Sequence, residues 1–279
     1  CNFIFVKLGV HEVPPLFLCS IRFFLVTVPA IFFLPRPKNA FKVVALYGLI
    51  MFALQFALIF TGLSVGMTAG MAALLLQTGV FFSIIFAALL NNEMPTLWQL
   101  AGSLLSFSGI VLAALHLNGN ITLSGFLLVL GGAAAMGLGN LITRKLANIN
   151  IATLVSWSSL IAFPPLLALS LLVEGPQQIS HSIQHFSWMA FISLFYIVYV
   201  STWIGYSAWS LLLCRYPISS VAHFTLLVPV FGMLCSTLFL GESFEPWKMT
   251  VSGLVIAGLS VNLLGPRLFM KSKNLVETA

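Results

Sequence analysis

Long apolar runs that carry almost no charge constrain this chain more than any other feature of its sequence. Its 279 residues include only 12 Lys and Arg and 6 Asp and Glu. Residues 47–90 contain no Lys, Arg, His, Asp or Glu. A water-soluble domain needs about a quarter of its residues charged to cover its surface. The chain is therefore predicted to lie in a lipid bilayer.

Nine segments are apolar and long enough to cross the hydrocarbon core, which takes about 20 helical residues. They are residues 14–34, 43–63, 68–90, 97–115, 123–142, 151–173, 187–213, 218–240 and 249–265. The apolar opening stretch, 1–10, is about half as long as the core requires, and we expect it to be the second half of a helix. A cleaved signal peptide or a lipidated Cys1 is the alternative, but no polar mature domain follows. The fold class predicted is an all-α polytopic membrane protein with ten transmembrane helices, the first of them truncated.

The loops indicate an orientation, because Lys and Arg near span ends are retained on the cytoplasmic side. With the N-terminus inside, nine cations fall on that side: Arg36, Lys38, Lys42, Arg144, Lys145, Arg215, Arg267, Lys271 and Lys273. Only Lys7 and Lys248 fall on the outer side. This bias predicts cytoplasmic termini. It also accounts for the net charge of +6 without a nucleic-acid partner, since no basic stripe with interleaved aromatics occurs.

Motifs for catalysis, metal binding and nucleotide binding do not occur in the sequence. The four cysteines, at positions 1, 19, 214 and 235, show no CxxC spacing and no Cys/His clustering, so neither a disulfide framework nor a zinc site is predicted. There is no GxSxG, HExxH or Walker-type loop, which argues against an enzyme and against ATP-driven transport by this chain alone. We predict no cofactor and no metal, and the sequence leaves the oligomeric state open.

The two halves of the chain share short recurring patterns. An Asn followed five residues later by a Lys occurs twice at an offset of 138 residues: Asn2 and Lys7, then Asn140 and Lys145. Near the end of each half a Glu, a Trp and a Gly recur at an offset of 149: Glu93, Trp98 and Gly109, then Glu242, Trp247 and Gly258. An insertion within 174–186 explains why the second offset is longer than the first. Since five helices per half turn the second copy over, we predict inverted repeats at 1–116 and 117–266 and a cytoplasmic tail at 267–279.

Several short motifs follow one another along the whole chain. They are Asn2-Phe3-x-x-x-Lys7, Pro14-Pro15-Leu16, Arg22-Phe23, Gln77, Glu93, Arg215-Tyr216, Leu227-Val228-Pro229-Val230 and Gly241-Glu242. In this order they resemble the EamA family of the drug/metabolite transporter superfamily, and within it the O-acetylserine/cysteine exporter branch. The resemblance implies export of small metabolites, typically amino acids and their derivatives, across a bacterial inner membrane.

Polar side chains inside the hydrocarbon zone are functional candidates, because burying them there is costly. Arg22 lies about eight residues inside the second span, roughly 12 Å at the helical rise. Its planar fork suits a carboxylate; the alternative is that it snorkels outward or pairs with Glu12. His223 could hydrogen-bond a substrate or carry a coupling proton, or it could simply pack. Since no Asp occurs and no Glu falls mid-span, the options for energy coupling are facilitated efflux and a proton carried by His223.

Amide and aromatic side chains complete the predicted substrate site. Gln55, Gln77 and Asn140 offer donors and acceptors to a zwitterion, with glue between helices as the alternative. Trp157 and Tyr206 could form the wall of a pocket, although such residues also favour membrane interfaces.

Pro229, with Gly232 after it, is predicted to bend the ninth span and to act as a hinge for alternating access. The equivalent stretch of the fourth span has Gln77 and Thr78 and lacks a proline, so the two halves are expected to flex unequally.

A transporter that exports cysteine-like or O-acetylserine-like metabolites fits these observations best. Its partners would be a small-molecule substrate and membrane lipid. Export of other metabolites or drugs, or exchange by a protein of the same superfamily, is the alternative. A membrane enzyme would need clustered catalytic residues at one membrane face, and a scaffold would not need polar groups in mid-membrane, so both fit less well.

Overall fold

The computed structural model describes residues 2–28, 30–37, 40–116, 121–146, 148–215, 227–242 and 245–277. Nearly all of them lie in helices, which we number in chain order. These are α1 Asn2–Glu12, α2 Pro15–Thr27, α3 Phe41–Ser64, α4 Ala69–Asn91, α5 Leu97–Leu115, α6 Leu123–Leu146, α7 Ile151–Val173, α8 Gly175–Gln184, α9 188–215, α10 Leu227–Leu240 and α11 Pro246–Glu277.

Seven of the described helices are apolar and long enough to cross a membrane: α3 to α7, Trp188–Ala208 of α9 and Pro246–Gly265 of α11. Two shorter apolar helices are Pro15–Thr27 and Val230–Leu240. The prediction of an all-α protein with several membrane spans is confirmed. The count of ten spans stays a prediction, because residues 218–226 of the predicted ninth span lie outside the described part.

Local sequence explains where several helices begin. Thr68, Thr96, Thr122 and Ser187 each accept a hydrogen bond from the backbone N–H three residues later, which satisfies one of the N–H groups that a helix start leaves unpaired. At α5 the arrangement is reciprocal: the Gln99 side chain also accepts from the backbone N–H of Thr96, at 2.8 Å. Each of these residues is the first of a predicted apolar segment or lies directly before one.

Glycines let pairs of helices pack at short distance. The pairs with the most extensive contact are α5 with α11, α3 with α6, α4 with α6, α2 with α7, α3 with α7, and α4 with α10. A methyl group added at Gly258 of α11 would lie 2.5 Å from the carbonyl oxygen of Gly102 on α5. One added at Gly232 of α10 would lie 2.5 Å from the Cβ of Ala73 on α4. Small residues are the usual means of close helix approach in lipid, where no hydrophobic effect brings helices together.

Two helices contain a wider, π-helical stretch. In α3 it covers Gly48–Leu54, and in α9 it covers Tyr196–Ile204. An offset of 149 residues, the one that relates Glu93 to Glu242, places the first stretch within the second. Such stretches are rare and occur mostly as local bulges, often at functional sites.

α4 changes geometry midway, at Gln77 and Thr78. The backbone N–H of Gln77 bonds to the carbonyl of Leu74 at 3.2 Å, and that of Thr78 bonds to Leu75 at 3.0 Å. Both bonds reach back three residues, which is the tighter 3₁₀ pattern and a common sign of a hinge within a helix. The Thr78 hydroxyl also donates to the Leu75 carbonyl, at 2.6 Å. The first half of the chain thus has a distortion here without a proline.

Candidate functional site

Arg22 of α2 lies inside the helix bundle. Its side chain is only 3% exposed, so it does not snorkel to the surface. Its Nη2 donates to Oγ1 of Thr202 on α9 at 3.2 Å. Its Nε and Nη1 are buried and have no hydrogen-bond partner within the described part of the chain. An Arg has five N–H donors, so most of this guanidinium's hydrogen-bonding capacity is unused.

Aromatic rings surround the guanidinium of Arg22. Its Cζ is 4.4 Å from the ring centroid of Phe56, 5.4 Å from that of Phe23 and 6.0 Å from that of Phe60. The rings also pack on one another, since the Phe23 and Phe52 centroids are 5.2 Å apart. Ring faces attract a cation and exclude water. They stabilise the charge of Arg22 without neutralising it.

The π-helical stretches of α3 and α9 both adjoin Arg22. Thr202 lies inside the α9 stretch, where its hydroxyl donates to the carbonyl of Ile197, five residues earlier, at 2.8 Å. Phe56 lies two residues after the end of the α3 stretch. Arg22 therefore sits between the irregular segments of two helices that are far apart in sequence. This point of the bundle combines a buried positive charge with helix geometry that differs from the regular form.

The electrostatic character of this point is positive. Tyr206, the predicted pocket wall, is half-buried on α9, four residues after Thr202. None of the ion pairs found among the described residues involves Arg22. A buried cation that lacks an anionic partner favours a bound anion, and a guanidinium with free N–H groups favours a carboxylate. We take Arg22, Thr202, Tyr206 and Phe56 as the central site.

The predicted amides lie apart from one another. Gln55 is buried on α3, and its Oε1 has no partner among the residues described. Gln77 is half-buried at the irregular turn of α4. Asn140 on α6 donates from Nδ2 to Oγ of Ser83 on α4 at 3.0 Å. This contact joins two helices, as an interhelical role requires.

Trp157 contacts a different part of the chain from Arg22. Its Nε1 donates to the carbonyl of Pro35 at 3.2 Å, and its ring packs edge-on against Phe41 at 6.2 Å. Pro35 lies in the connection between α2 and α3, and Phe41 is the first residue of α3. Pro229 lies within the described part of α10, and Gly232 packs on Ala73 of α4. His223 lies outside the described residues.

A separate polar cavity of about 400 Å³ opens at the end of the bundle that contains Lys7, here called the Lys7 end. Its lining residues are Lys7, His11, Thr68, Leu240, Gly241, Glu242 and Lys248. Lys7 Nζ donates to the carbonyls of Leu63 and Met67, at 2.6 and 2.8 Å. Our site prediction from sequence missed this cavity. The signal was available, since Lys7 and Glu242 are the members of the repeated motifs that were assigned to the outer side.

Two glutamates at the Lys7 end cap helices from the other half of the chain. Glu242 accepts from the backbone N–H groups of Ala69 and Gly70, at 2.8 and 3.2 Å. Glu174 accepts from those of Leu16 and Phe17, at 2.7 and 3.0 Å. A carboxylate is favourable at a helix N-terminus because the unpaired N–H groups and the helix dipole both attract it. No sequence pattern for a cap exists across 150 residues, so both contacts required the structure.

At the opposite end, Glu93 and Arg144 form a direct ion pair. Nη1 of Arg144 is 2.8 Å from Oε1 and 2.9 Å from Oε2 of Glu93. Hydrogen bonds from Arg144 and Asn91 hold the pKa of the Glu93 carboxyl below its usual value. The pair is exposed, and both residues line a cavity of about 460 Å³ together with Ser83. We call this the Arg144 end.

The described residues contain no group of three or more His, Cys, Asp or Glu that could hold a metal ion. The fold and the buried site thus define a helical membrane protein with several spans and a positively charged centre.

The chain matches the EamA-like transporter family over residues 1–115 and 123–264. It therefore belongs to this family, and it is a membrane transport protein.

Relatives over nearly the whole length support this assignment. The chain is 39% identical over 272 residues to a probable amino-acid metabolite efflux pump of Salmonella typhimurium. The aligned region covers 95% of this chain and 91% of the relative. It is 37% identical, with the same coverage, to a protein of the same description in Escherichia coli K12.

A more distant relative and a solved structure extend the comparison. The chain is 26% identical over 193 residues to a probable terminal-alkyne amino-acid exporter of Streptantibioticus cattleyicolor, which covers 67% of this chain and 62% of the relative. A protein of known crystal structure superimposes with a TM-score of 0.57 at 16% identity, over 95% of this chain and 96% of its own. At that identity the likeness concerns the fold alone.

Proposed function

We propose that this protein exports small amino-acid-like metabolites of the cysteine and O-acetylserine class, with Arg22 as the group that binds the substrate carboxylate. The observation that carries the proposal is the buried guanidinium of Arg22, two of whose nitrogens have no partner in the described structure. The family and the efflux-pump relatives support export of amino-acid metabolites. We place the protein in the bacterial inner membrane, with both termini in the cytoplasm.

Substrate binding at Arg22 would use the contacts seen around it. A carboxylate would accept from Nε and Nη1 while Nη2 keeps its bond to Thr202. Charge-assisted hydrogen bonds of this kind are about twice as strong as neutral ones. The ring of Phe56 would keep the guanidinium in place, and Tyr206 would contact the rest of the substrate. Gln55, Gln77, Asn140, Trp157 and His223 stay candidates for contacts made in other steps of transport.

Transport would proceed by alternating access between two inverted repeats, 1–116 and 117–266, followed by the tail at 267–279. The π-helical stretches at an offset of 149 residues support this arrangement. The helix pairing supports it too. If α1, α2 and α3 of the first repeat correspond to α6, α7 and α9 of the second, each contact has a counterpart: α1 with α9 matches α6 with α3, and α2 with α9 matches α7 with α3. The hinges would be the turn at Gln77 in α4 and the segment around Pro229 and Gly232 in α10.

The test is efflux of labelled L-cysteine, O-acetyl-L-serine and unrelated amino acids from membrane vesicles that contain the full chain. Arg22→Met removes the charge and should lower efflux of the carboxylate-bearing substrates by at least about tenfold, since a hydrogen bond to a charged group contributes about 1.5–3 kcal/mol. Arg22→Lys keeps the charge but loses the planar fork, so its efflux should be lower than that of wild type and higher than that of Arg22→Met.

A matched control is Arg36→Met. Arg36 is exposed, and its Cζ lies 4.3 Å from the ring centroid of Phe41, so the same substitution removes a cation over a ring away from the centre. It should keep wild-type efflux. The proposal is wrong if none of the amino acids is exported above background, or if Arg22→Met equals wild type.

A further inference from the structure

We infer that the cavity at the Lys7 end is a second binding site, which takes the zwitterionic head group of an amino acid between Lys7 and Glu242. The inference rests on the proposed function, because it places this site on the route of the same substrates. It adds a binding site distinct from the one at Arg22. In the predicted orientation, this is the side on which the substrate leaves.

Lys7 offers a positively charged donor to this cavity. Its ammonium group has three N–H donors, and the carbonyls of Leu63 and Met67 accept two of them. These two carbonyls belong to the last turn of α3 and to the loop after it, so the bonds hold the ammonium at the cavity wall. The third N–H is left for a ligand.

Glu242 offers a negatively charged acceptor to the same cavity. Each of its oxygens accepts one backbone N–H at the start of α4, and a carboxylate has about four acceptor positions. Two positions are therefore left for a ligand. The bonds to Ala69 and Gly70 fix the carboxylate in place, as the carbonyl contacts fix Lys7.

Lys7 and Glu242 line one cavity but do not form an ion pair with each other. The volume, about 400 Å³, lies within the range of small-molecule pockets, about 300–1,000 Å³. A zwitterion would place its carboxylate at Lys7 and its ammonium group at Glu242. Each charge of the ligand would then meet a fixed charge of opposite sign.

The Lys7 end has an ion pair between Lys248 and Glu245, at 3.5 Å, but Lys7 and Glu242 are not paired with each other. At the Arg144 end, the glutamate related to Glu242 is itself in a direct ion pair. There the carboxylate of Glu93 and the guanidinium of Arg144 meet directly, at 2.8 and 2.9 Å, and each neutralises the other. The sequence offset of 149 residues relates Glu93 to Glu242. The two related glutamates thus differ: Glu93 is paired with Arg144, whereas Glu242 lines a cavity together with Lys7 and is not paired with it.

Equilibrium dialysis of labelled L-cysteine against the purified full chain, with a thiol reductant present, tests the site by counting bound molecules per chain. Wild type should bind two. Glu242→Gln and Lys7→Met should each bind one, and so should Arg22→Met. N-acetyl-L-cysteine, which lacks the ammonium group, should displace only one of the two molecules from wild type.

Glu174→Gln is the matched control, because Glu174 caps α2 as Glu242 caps α4 but does not line the cavity. It should bind two molecules. Lys7→Met could fail to fold, because the end of α3 loses its contact with Lys7. In that case Glu242→Gln and Lys7→Arg together test whether the second site exists. Lys7→Arg keeps the charge and should bind two molecules.

A wild type that binds one molecule and loses it in Arg22→Met would overturn this inference and leave the proposed function standing. Retention of two molecules by folded Glu242→Gln would also overturn it. A wild type that binds one molecule and loses it in Glu242→Gln but not in Arg22→Met would support the outer site and contradict the central one. No binding at all would reject both.

Discussion

The guanidinium carbon of Arg22 lies 4.4 Å from the ring centroid of Phe56, so a buried charge of α2 rests on a ring of α3. A cation over a ring is stabilised by about 2 kcal/mol or more when both groups are desolvated. The ring also limits where the free N–H groups of Arg22 can point. Phe56 therefore positions the group that we propose to bind the substrate.

Phe56→Leu should weaken substrate binding without abolishing transport. The guanidinium would lose its ring and sample more orientations, so we expect the KM for L-cysteine efflux to rise about three- to tenfold, which corresponds to about 0.7–1.4 kcal/mol. The measurement is the concentration dependence of initial efflux in vesicles. Phe86→Leu is the control, since Phe86 is also half-buried and stacks on Phe82. An equal rise in both variants would show that ring loss in general, and not the Arg22 contact, matters.

Glu174→Ala should destabilise the start of α2. The carboxylate accepts from Leu16, Phe17 and the Ser170 hydroxyl, the last at 2.6 Å, and loss of a cap costs about 0.5–2 kcal/mol. We expect the free energy of unfolding in detergent to fall by about that amount, with faster amide hydrogen exchange at residues 16–18. Glu12→Ala, at an exposed position nearby, should change stability by less than about 0.5 kcal/mol. Unchanged exchange in α2 would contradict the cap.

Gly258→Ala should weaken the contact of α11 with α5. The added methyl group would collide with Oγ of Ser106 and with the carbonyl of Gly102, and such overpacking costs about 1–3 kcal/mol. Gly253 lies on the same helix with nothing within 4 Å of the added carbon. Gly253→Ala should therefore be neutral or more stable by up to about 1 kcal/mol. Thermal unfolding in detergent compares the two, and a more stable Gly258→Ala would show that the helices can separate freely there.

The Glu93 and Arg144 pair should contribute to stability only while Glu93 is ionised. The pKa of this carboxyl is lowered in the folded protein by Arg144 and Asn91. Its contribution is therefore present above the unfolded value, about 4.3, and is lost as the pH falls through the folded value. Compared with Glu93→Gln, wild type should unfold at a slightly higher temperature at pH 7 and at the same temperature at acidic pH. Since the pair is exposed, high salt should reduce the difference at pH 7. A difference that grew on acidification would contradict this assignment.

Much of the architecture follows from local sequence. Apolar length predicted the membrane spans, and Thr or Ser before an apolar run marks where α4, α5, α6 and α9 begin. The 3₁₀ turn at Gln77 was not predicted as a break, because no proline or glycine directly precedes it. A short 3₁₀ turn within a helix is a matter of backbone hydrogen bonding and does not need a particular residue. Its half of the chain was expected to flex differently from the half with Pro229, and that comparison stays a prediction.

The candidate site could be predicted only in part. Scarcity of charge singled out Arg22 and not its partners: Thr202 is 180 residues away in sequence. Trp157 was predicted as a pocket wall from its type alone. Its described contacts are Pro35, in the connection between α2 and α3, and Phe41, at the start of α3. Lys7 and Glu242 were assigned to the outer side from loop charges, but nothing in their spacing showed that they line one cavity.

The sequence by itself determined that the chain is helical, that it lies in a membrane, and that one Arg lies deep within a span. These properties depend on the residues of each segment and on the thickness of the bilayer. The tertiary structure alone decided which faces meet. It therefore decided that, among the described residues, Arg22 bonds to Thr202 and keeps two nitrogens without a partner, and that Lys7 and Glu242 line one cavity. The physical reason is that lipid satisfies almost any apolar face equally well. Close packing at a few glycines and hydrogen bonds between distant residues then select how the helices assemble.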